Sequence, residues 1–416
     1  MKLLAIYAGK ITYVLLRMIG RMAGTLPGLI AEKIDPNILS DSLSKLPKGV
    51  VVVTGTNGKT TTTKILTEML SRKYRVLTNP TGSNFTRGIA AAVVSKSTLA
   101  GRLNYDIAVI ELDEAYAVKF VEKIQPDYSI ILNVTRDQMD RFGEIDHTAK
   151  LLETVVKKTK KAVVLNADDN RVRPMKLVAR CKVYYFGVSN TLSHIFVNDE
   201  NLHTAEKQSR QQTVDAELIS LKNELTTLSI GNDTLSVKLN FFGLYNSQNA
   251  VAASLMANKL GIDNKQISDA LSTTSPAFGR GEIFDLGSNK IIVQLVKNPA
   301  GFRQALIGSL STDSDITCLV INDNYADGRD VSWLWDVEFS QYIKSPTVIT
   351  SGHRAYDMSV RLAYDDIMVT ETISDLGEFV NYVKDQDKKN IIIFTTYTAM
   401  LKLRSMFGKI ADLEEL

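Results

Sequence analysis

A glycine-rich segment between a strand pattern and a helix pattern constrains this chain more than any other feature. Residues 51–61 read Val-Val-Val-Thr-Gly-Thr-Asn-Gly-Lys-Thr-Thr. Gly55 and Gly58 let backbone amides wrap a phosphate, and the start of the helix adds positive partial charge. Lys59 supplies an ammonium group for the terminal phosphates, and Thr60 supplies a hydroxyl for Mg²⁺. The segment predicts a phosphate-binding loop. The flanking patterns disfavour the alternative, a chance Gly-Lys-Thr in a generic turn.

Short β-branched runs alternate with helical patterns on both sides of this loop. The length of 416 residues predicts two or three domains rather than one core. Buried parallel strands are predicted at 50–54, 75–78, 107–112, 129–133 and 162–166. This rhythm is typical of a doubly wound α/β sheet, in which ligands gather at the carboxyl ends of the strands. We therefore predict a central α/β domain over residues 47–284.

The rest of the chain is predicted to comprise a helical segment, an insertion and a second domain. Residues 1–46 form an N-terminal helical segment, and residues 188–230, which contain no Gly, Pro or Cys, read as a variable insertion or a small antiparallel elaboration. A second series of apolar runs follows, at 291–296, 316–321, 347–350 and 390–395. This series predicts a separate Rossmann-like α/β domain over residues 285–416.

Charge and cysteine content exclude several classes of protein. The net charge is +3, from 49 Lys and Arg against 46 Asp and Glu, which gives no overall argument for nucleic-acid binding. The two cysteines, Cys181 and Cys318, lie far apart and outside any CxxC spacing, so neither a disulfide framework nor a thiolate metal cluster is expected. We expect a cytoplasmic protein, with no signal peptide and no run near the roughly 18 apolar residues that span a bilayer.

The first 31 residues carry basic residues and no acidic one. On a helix, Lys10, Arg17 and Arg21 fall in a narrow stripe opposite a surface rich in large apolar residues. Two interpretations stay open. The helix either rests on an anionic membrane face or packs on its own protein with a solvated basic edge.

The loop sequence departs from the usual phosphate-binding pattern, because Val53 stands where the first glycine would be. In this variant form, residues 55–61 resemble the loop of Mur ligases and of their folylpolyglutamate synthase relatives. Further segments resemble Mur ligase segments in the same order along the chain. They are 110–114, with Glu111 at a strand end; the NxDD segment 166–169; 243–250, where Tyr245 replaces the usual His; and 278–282, with Arg280.

Within that family the chain resembles the MurT type most. Gln138, in segment 132–143, replaces a His that assists metal binding in other Mur ligases, and segments 81–88, 296–302 and 322–333 are similar to MurT-type sequences. Two features depart from the pattern or stay unplaced. MurT-type chains commonly carry a four-cysteine zinc ribbon, whereas residues 188–230 contain no cysteine, so zinc is not expected. Lys150 sits a couple of positions from where a carbamylated lysine would align.

The resemblance implies an ATP-dependent carbon–nitrogen ligase that uses Mg²⁺ and has a P-loop Mur-ligase central domain. It implies amidation of the D-Glu α-carboxylate in the stem peptide of lipid II, through an acyl phosphate, at the inner membrane face of a Gram-positive-type bacterium. Thr60 and Glu111 would hold Mg²⁺, while Lys59, Lys297 and Arg280 would act on the phosphates. The residues implied to contact ATP are Gly55, Thr56, Asn57, Gly58, Lys59, Thr60, Thr61, Asp168, Asn246 and Asn249.

The same resemblance implies a partner. The chain has no glutaminase nucleophile in a suitable context, so ammonia would come from a GatD-like glutamine amidotransferase subunit in a heterodimer, whose triad Asp330 would complete. From the residues alone, Asp330 also reads as a turn or cap carboxylate. Glu111, Asp168, Asn246 and Asn249 likewise have simpler readings as surface, capping or turn residues.

Two rival functions remain at this point. One is a Mur-like ligase that joins an amino acid, as folylpolyglutamate synthases do. The other is a regulatory subunit that binds ATP without turnover. The set of Lys59, Thr60, Glu111 and Arg280 favours catalysis over the second rival.

Overall fold

The structure is a computed structural model of the whole chain. It describes all residues except 19–23, 80–85, 136–144, 194–195, 197–211, 223–224, 240–243, 276–279, 287, 311–312 and 411–416. The side chains of Leu244, Arg280, Lys409 and Ile410 are also outside the description.

A nine-stranded sheet forms the centre of the first part of the described chain. Its strands are β1 (Gly49–Thr54), β2 (Val76–Thr78), β3 (Ile107–Glu111), β4 (Tyr128–Ile131), β5 (Ala162–Asn166), β6 (Lys182–Val188), β7 (Ala216–Lys222), β8 (Leu225–Ile230) and β9 (Asp233–Lys238). The order is β2-β3-β1-β4-β5-β6-β7-β8-β9. In this order, neighbouring strands from β2 to β7 pair in parallel. Strand β8 pairs antiparallel with both β7 and β9. Strand β1 thus lies between β3 and β4, where the chain changes direction across the sheet, which is where open α/β sheets bind ligands.

Helices cover both faces of this sheet. They are α1 (Lys2–Met18), α2 (Leu26–Ile34), α3 (Ile38–Leu43), α4 (Lys59–Ser71), α5 (Thr86–Lys96), α6 (Glu114–Lys123), α7 (Ile145–Lys158), α8 (Leu244–Lys259) and α9 (Asn264–Thr273). Because side chains alternate along a strand, Val50 and Val52 enter the core beneath α1, α5 and α6, and Val51 and Val53 enter the core beneath α4, α8 and α9. Strand β1 is buried on both faces, which holds the loop after it in place.

A second, six-stranded sheet forms the rest of the described chain. Its strands are β10 (Arg280–Leu286), β11 (Asn289–Leu295), β12 (Ile316–Val320), β13 (Thr347–Ser351), β14 (Glu371–Ile373) and β15 (Asn390–Thr395). Its order is β10-β11-β15-β12-β13-β14, with only β10 antiparallel to its neighbour among these strands. The helices around it are α10 (Pro299–Ser309), α11 (Ala355–Ala363), α12 (Leu376–Lys384) and α13 (Tyr397–Ile410).

The α/β fold class predicted from the sequence is confirmed. All nine predicted strands are present, with ends that shift by at most a few residues. The predicted insertion contains an antiparallel extension, β7 and β8, while its residues 197–211 lie outside the described residues. The second sheet begins at Arg280, slightly before the predicted boundary at 285, because β10 pairs with β11 rather than with the first sheet.

Helix α1 packs on the body of the protein through Ala5, Ile6 and Gly9. A Cβ at Gly9 would lie 2.7 Å from a methyl carbon of Val94 and 3.1 Å from the carbonyl oxygen of Pro27, so a glycine is needed for this close approach to α5 and α2. The predicted helix is confirmed through Met18, and the predicted basic position Arg21 lies outside the described residues. No helix in the described part of the chain has the length and apolar character that crossing a bilayer requires.

Candidate functional site

Two glycines shape the loop between β1 and α4. Gly55 has φ +131° and Gly58 has φ +86°, a region that side chains other than glycine rarely adopt. A Cβ at Gly58 would lie 2.3 Å from Oδ1 of Asn249, and one at Gly55 would lie 3.0 Å from backbone atoms of Asn133. Both positions therefore require glycine for the backbone angle and for space.

The loop is held from β4 by Asn133, a residue to which the sequence assigned no role. Its Oδ1 accepts the amide of Asn57 at 2.8 Å, its Nδ2 donates to the carbonyl of Asn57 at 3.1 Å, and its carbonyl accepts the amide of Thr56 at 3.0 Å. Thr135 adds a bond from Asn57 Nδ2 to its hydroxyl at 3.0 Å. In the sequence, the one sign of these hydrogen bonds is that Asn133 is a polar residue directly after a buried strand.

Lys59 is buried and its ammonium group points back over the loop. Nζ donates to the carbonyl oxygens of Gly55 at 2.7 Å and Thr56 at 3.3 Å. It also pairs with Asp113 Oδ1 at 3.0 Å and Glu114 Oε2 at 3.4 Å. The ammonium group thus lies within the loop, with carboxylates from the start of α6 balancing its charge.

Thr60 and Glu111 meet beside the loop. The hydroxyl of Thr60 donates to Oε1 of Glu111 at 2.8 Å, and Glu111 is only 4% exposed. Asn79 fixes the backbone of Glu111 through two bonds, of 2.9 and 3.0 Å. A buried carboxylate and a hydroxyl, both hard oxygen donors beside a phosphate-binding loop, are the ligand types that suit Mg²⁺.

The second domain touches the loop through consecutive residues at the start of α10. Lys297 Nζ donates to the carbonyl of Thr56 at 3.3 Å, and Asn298 Nδ2 donates to Asn57 Oδ1 at 3.1 Å. Asn298 also caps α10, because its Oδ1 accepts the amide of Gly301 at 2.8 Å. The loop is therefore contacted from both sheets.

A cavity lies where the two domains meet at this loop. Its walls come from the loop and α4, from the start of α8, and from β11 and α10 of the second domain. The lining residues are Asn57, Gly58, Thr61, Tyr245, Asn246, Asn249, Gln294, Leu295, Lys297, Ala300, Gly301, Gln304 and Ala305.

Six of the fourteen predicted site residues line this cavity, namely Asn57, Gly58, Thr61, Asn246, Asn249 and Lys297. The backbone of Arg280 pairs with Gln294 of the cavity wall, while its side chain is outside the description. Asp168 is not among the lining residues: its Oδ2 accepts the amide of Val188 at 2.7 Å. A role for Asp168 in binding nucleotide stays a prediction.

Asp169, the neighbour of Asp168, has a structural role. Its carboxylate accepts the amides of Val134, Arg171 and Val172, at 2.8 to 2.9 Å. Burial raises the pKa of Asp169, and these hydrogen bonds lower it by less. Asp169 therefore ties the segment after β5 to the end of β4, next to Asn133.

Asp330 is not among the residues that line this cavity, and it lines an open cleft of the second domain instead. Its Oδ1 accepts the amide of Ser332 at 2.8 Å, which fits a turn carboxylate. The cleft is also lined by Trp335, Tyr356 and Asp357, which are exposed. Tyrosine and tryptophan are enriched at protein–protein interfaces.

Two family models match parts of this chain. Residues 53–257 match the family model described as Mur ligase middle domain, and residues 295–400 match the one described as MurT ligase C-terminal. The chain is 33% identical, over 97% of its length and 96% of the relative, to the MurT subunit of lipid II isoglutaminyl synthase (glutamine-hydrolyzing) from Streptococcus pneumoniae.

The chain belongs to the MurT family of Mur-type ligases.

Solved Mur ligases share its fold. A MurF from Acinetobacter baumannii has a TM-score of 0.71 at 18% identity, covering 93% of this chain and 80% of that one. A MurF ligase from Thermotoga maritima in complex with ADP has a TM-score of 0.68 at 18% identity, covering 89% and 82%. The Mur ligase fold predicted from the loop variant is thereby confirmed, together with membership of the MurT family.

Some MurT-type features fall outside the described residues. Gln138, residues 81–85 and Gly243 are among them, so the predictions made there stay predictions. The two cysteines are placed: Cys318 is fully buried in β12, and burial raises the pKa values of both Cys318 and Cys181. Raised pKa values make both thiols weak nucleophiles.

Proposed function

We propose that this chain is the synthetase subunit of a lipid II isoglutaminyl synthase. It would amidate the D-Glu α-carboxylate of the lipid II stem peptide to D-isoglutamine, with ATP and with ammonia from a glutaminase subunit. The observation that carries the proposal is the cavity at the domain junction, where Gly58 and Asn57 of the loop face Lys297. The name of the Streptococcus pneumoniae relative supports the choice of substrate.

ATP would bind with its phosphates at the loop and its base toward α8. The helix start at Gly58 offers backbone amides, and Lys59 places a cation within the loop. Thr61, Asn246 and Asn249 line the same cavity, which supports their assignment to the nucleotide. The Thermotoga maritima MurF, which shares the fold, is a complex with ADP.

Mg²⁺ would be held by Thr60 and Glu111. The pair already shares a hydrogen bond, and Asn79 holds Glu111 by its backbone. When bound, the metal neutralises charge on phosphate oxygens. Glu111 and Thr60 would orient those oxygens, because both are fixed by buried secondary structure.

The reaction needs activation because an unmodified carboxylate would have to expel oxide. Transfer of the γ-phosphoryl group to the D-Glu carboxylate gives an acyl phosphate and ADP, and attack by ammonia then releases phosphate and forms the amide. Lys297 would bring a cation from the second domain to the transferred group, which its contact with the Thr56 carbonyl supports, and Arg280 starts the strand that pairs with the cavity wall. Closure of the two domains would complete the site.

Ammonia would come from a GatD-like glutamine amidotransferase partner. Both thiols of this chain are buried or half-buried and have raised pKa values, so neither is suited to hydrolyse glutamine. Asp330 would complete the partner's Cys and His triad, and its cleft offers exposed Trp335 and Tyr356 for contact. Arg361 donates to the carbonyls of Leu334 and Val337, which fixes the backbone on either side of Trp335.

The test supplies ATP and lipid II to the chain in parallel reactions. One receives ammonia, one receives glutamine with the partner subunit, and one receives free amino acids. We expect one amide per lipid II in the first two reactions, with ADP and phosphate released in equal amounts. Product formed only with an amino acid would instead show an amino-acid ligase, and ATP binding without turnover would show a regulatory subunit.

A further inference from the structure

One face of α1 is apolar, exposed and unexplained by the nucleotide site. At about 100° per residue, seven large apolar residues fall within one arc of roughly 120°, opposite the residues that pack on the protein. All seven are between 43% and 78% exposed, and they are Leu3, Leu4, Tyr7, Ile11, Val14, Leu15 and Met18. We call this set the outward face of α1.

Basic residues border the outward face. Lys10 and Arg17 lie along one edge, about two helical turns apart, and α1 contains no acidic residue. Lys10 donates to the carbonyl of Ser95 at 3.2 Å, and the Arg17 guanidinium stacks 5.4 Å from the Tyr13 ring, so both charged groups are held beside the face.

A basic cavity adjoins the same face at Leu3. Lys2, Lys45 and Arg102 line it together with Leu3, and no acidic residue is among its lining residues. Burial and then the charge of Lys45 lower the pKa of Lys2, while Asp41 and Asp35 raise it by less. Leu99 belongs to the turn that reaches Leu3 through Gly101, and it is 66% exposed.

We propose that the outward face of α1 docks on the surface of an anionic lipid bilayer. The apolar arc would enter the boundary between headgroups and acyl chains, with Lys10 and Arg17 at the level of the lipid phosphates. The cavity at Lys2, Lys45 and Arg102 would receive the phosphate of one anionic headgroup.

The shape of the face favours a bilayer over a protein partner. A helix of 17 residues is about 26 Å long and about 10 Å wide, so it offers a few hundred Å² of contact. A stable protein interface needs roughly 800 Å² from each side. An interfacial helix binds with a face of this size when basic residues add electrostatic attraction.

The experiment is sedimentation of the full chain with vesicles that contain no lipid II, without ATP or partner subunit. Vesicles of phosphatidylglycerol with phosphatidylcholine are compared with pure phosphatidylcholine. We expect at least tenfold tighter binding to the anionic vesicles, weakened by salt. The variant Ile11→Glu with Leu15→Glu is expected to lose at least tenfold of that binding. Because nothing in this assay depends on amidation, its failure is distinct from failure of the proposed function.

A control variant and a second test variant complete the experiment. Leu177→Glu with Leu310→Glu places the same two charges at exposed leucines outside α1, and it is expected to bind vesicles as the original chain does. Lys45→Glu with Arg102→Glu tests the basic cavity and is expected to reduce the preference for anionic lipid, while Lys10 and Arg17 retain part of it.

The idea is wrong if the Ile11→Glu, Leu15→Glu chain binds vesicles normally, or if the unaltered chain sediments with neither kind of vesicle. It is also wrong if α1 instead mediates a dimer. In that case ultracentrifugation of the unaltered chain without lipid would show a dimer that the variant lacks.

Discussion

The side-chain amide of Asn298, in the second domain, donates to the side-chain oxygen of Asn57 in the phosphate-binding loop, with a distance of 3.1 Å between Nδ2 and Oδ1. The same Asn298 begins α10 by accepting the amide of Gly301. One residue thus fixes the first turn of a helix and links that helix to the loop. The position of the second domain is thereby coupled to the loop that would hold the nucleotide.

Asn298→Asp is expected to raise the KM for ATP roughly tenfold with little loss of stability. Aspartate caps a helix as well as asparagine does, but it cannot donate to Asn57, and the loss of one hydrogen bond costs about 1 kcal/mol. Its added negative charge also opposes the phosphates. Steady-state kinetics and thermal unfolding measure the two effects. Asn381→Asp, on the exposed surface of α12, is the matched control and is expected to change neither quantity.

Gly58→Ala is expected to abolish measurable binding of ATP and to lower stability. The backbone angle alone costs about 1–2 kcal/mol, and the new Cβ would lie 2.3 Å from Oδ1 of Asn249. Gly231→Ala is the control, since Gly231 has φ +58° but nothing within 4 Å of the added carbon. We expect that control to lose stability while calorimetry shows unchanged ATP affinity. Equal loss of ATP affinity in both variants would contradict a steric role for Gly58.

Glu111→Gln is expected to raise the Mg²⁺ concentration for half-maximal ATP turnover at least tenfold. The amide oxygen still accepts the Thr60 hydroxyl, so the change removes charge and little else. Thr60→Val is expected to act in the same direction, whereas Thr60→Ser keeps the hydroxyl and stays near the original value. A Mg²⁺ titration at saturating ATP makes the comparison. An unchanged titration in Glu111→Gln would remove Glu111 from the metal site.

Lys59→Met is expected to weaken ATP binding about 100-fold in calorimetry, the scale of losing a charge-assisted hydrogen bond of about 3 kcal/mol. The variant also removes the cation that pairs with Asp113 and Glu114, so a lower melting temperature is expected. Lys64→Met changes a lysine further along α4 that bonds Ser275 instead. That control is expected to bind ATP normally, and similar losses in both variants would point to a general effect of charge on α4.

Asp330→Asn is expected to separate the two nitrogen sources. Asn keeps an oxygen for the amide of Ser332, so the turn is retained while the negative charge is lost. Glutamine-driven amidation with the partner subunit should fall at least 100-fold, and ammonia-driven amidation should continue. Asp357→Asn, in the same cleft, is expected to leave both reactions intact. An equal fall of both reactions in Asp330→Asn would place Asp330 outside the glutaminase triad.

Local sequence pattern was sufficient for the loop and for nine of the fifteen strands in the described part of the chain, whereas β6 to β10 and β14 were not predicted individually. β-branched runs marked β1, β3 and β5, because a parallel strand buried on both faces has little freedom in composition. The position of β10 was less predictable. It joins the second sheet by pairing with β11, a choice made by tertiary contacts rather than by the residues of β10 themselves.

The site was predictable where motifs carry it and not where side chains reach across the fold. Gly58, Lys59 and Thr60 are read from one contiguous segment. Asn133 and Asn298 were not assigned to the loop, since their roles depend on β4 and α10 meeting residues more than 70 positions earlier in the chain. Asp168 and Asp169 are adjacent acidic residues, and the sequence does not distinguish them. The structure shows that Asp168 accepts the amide of Val188, whereas Asp169 accepts the amide of Val134.

The clasp by Asn133 also bears on synthesis of the protein. Thr56 and Asn57 take up their positions by bonding a residue that leaves the ribosome only after β3 and β4. A nascent chain that ends before residue 133 therefore has the loop sequence but lacks the hydrogen bonds that shape it. The loop can therefore take its final shape only when the centre of the first sheet is complete.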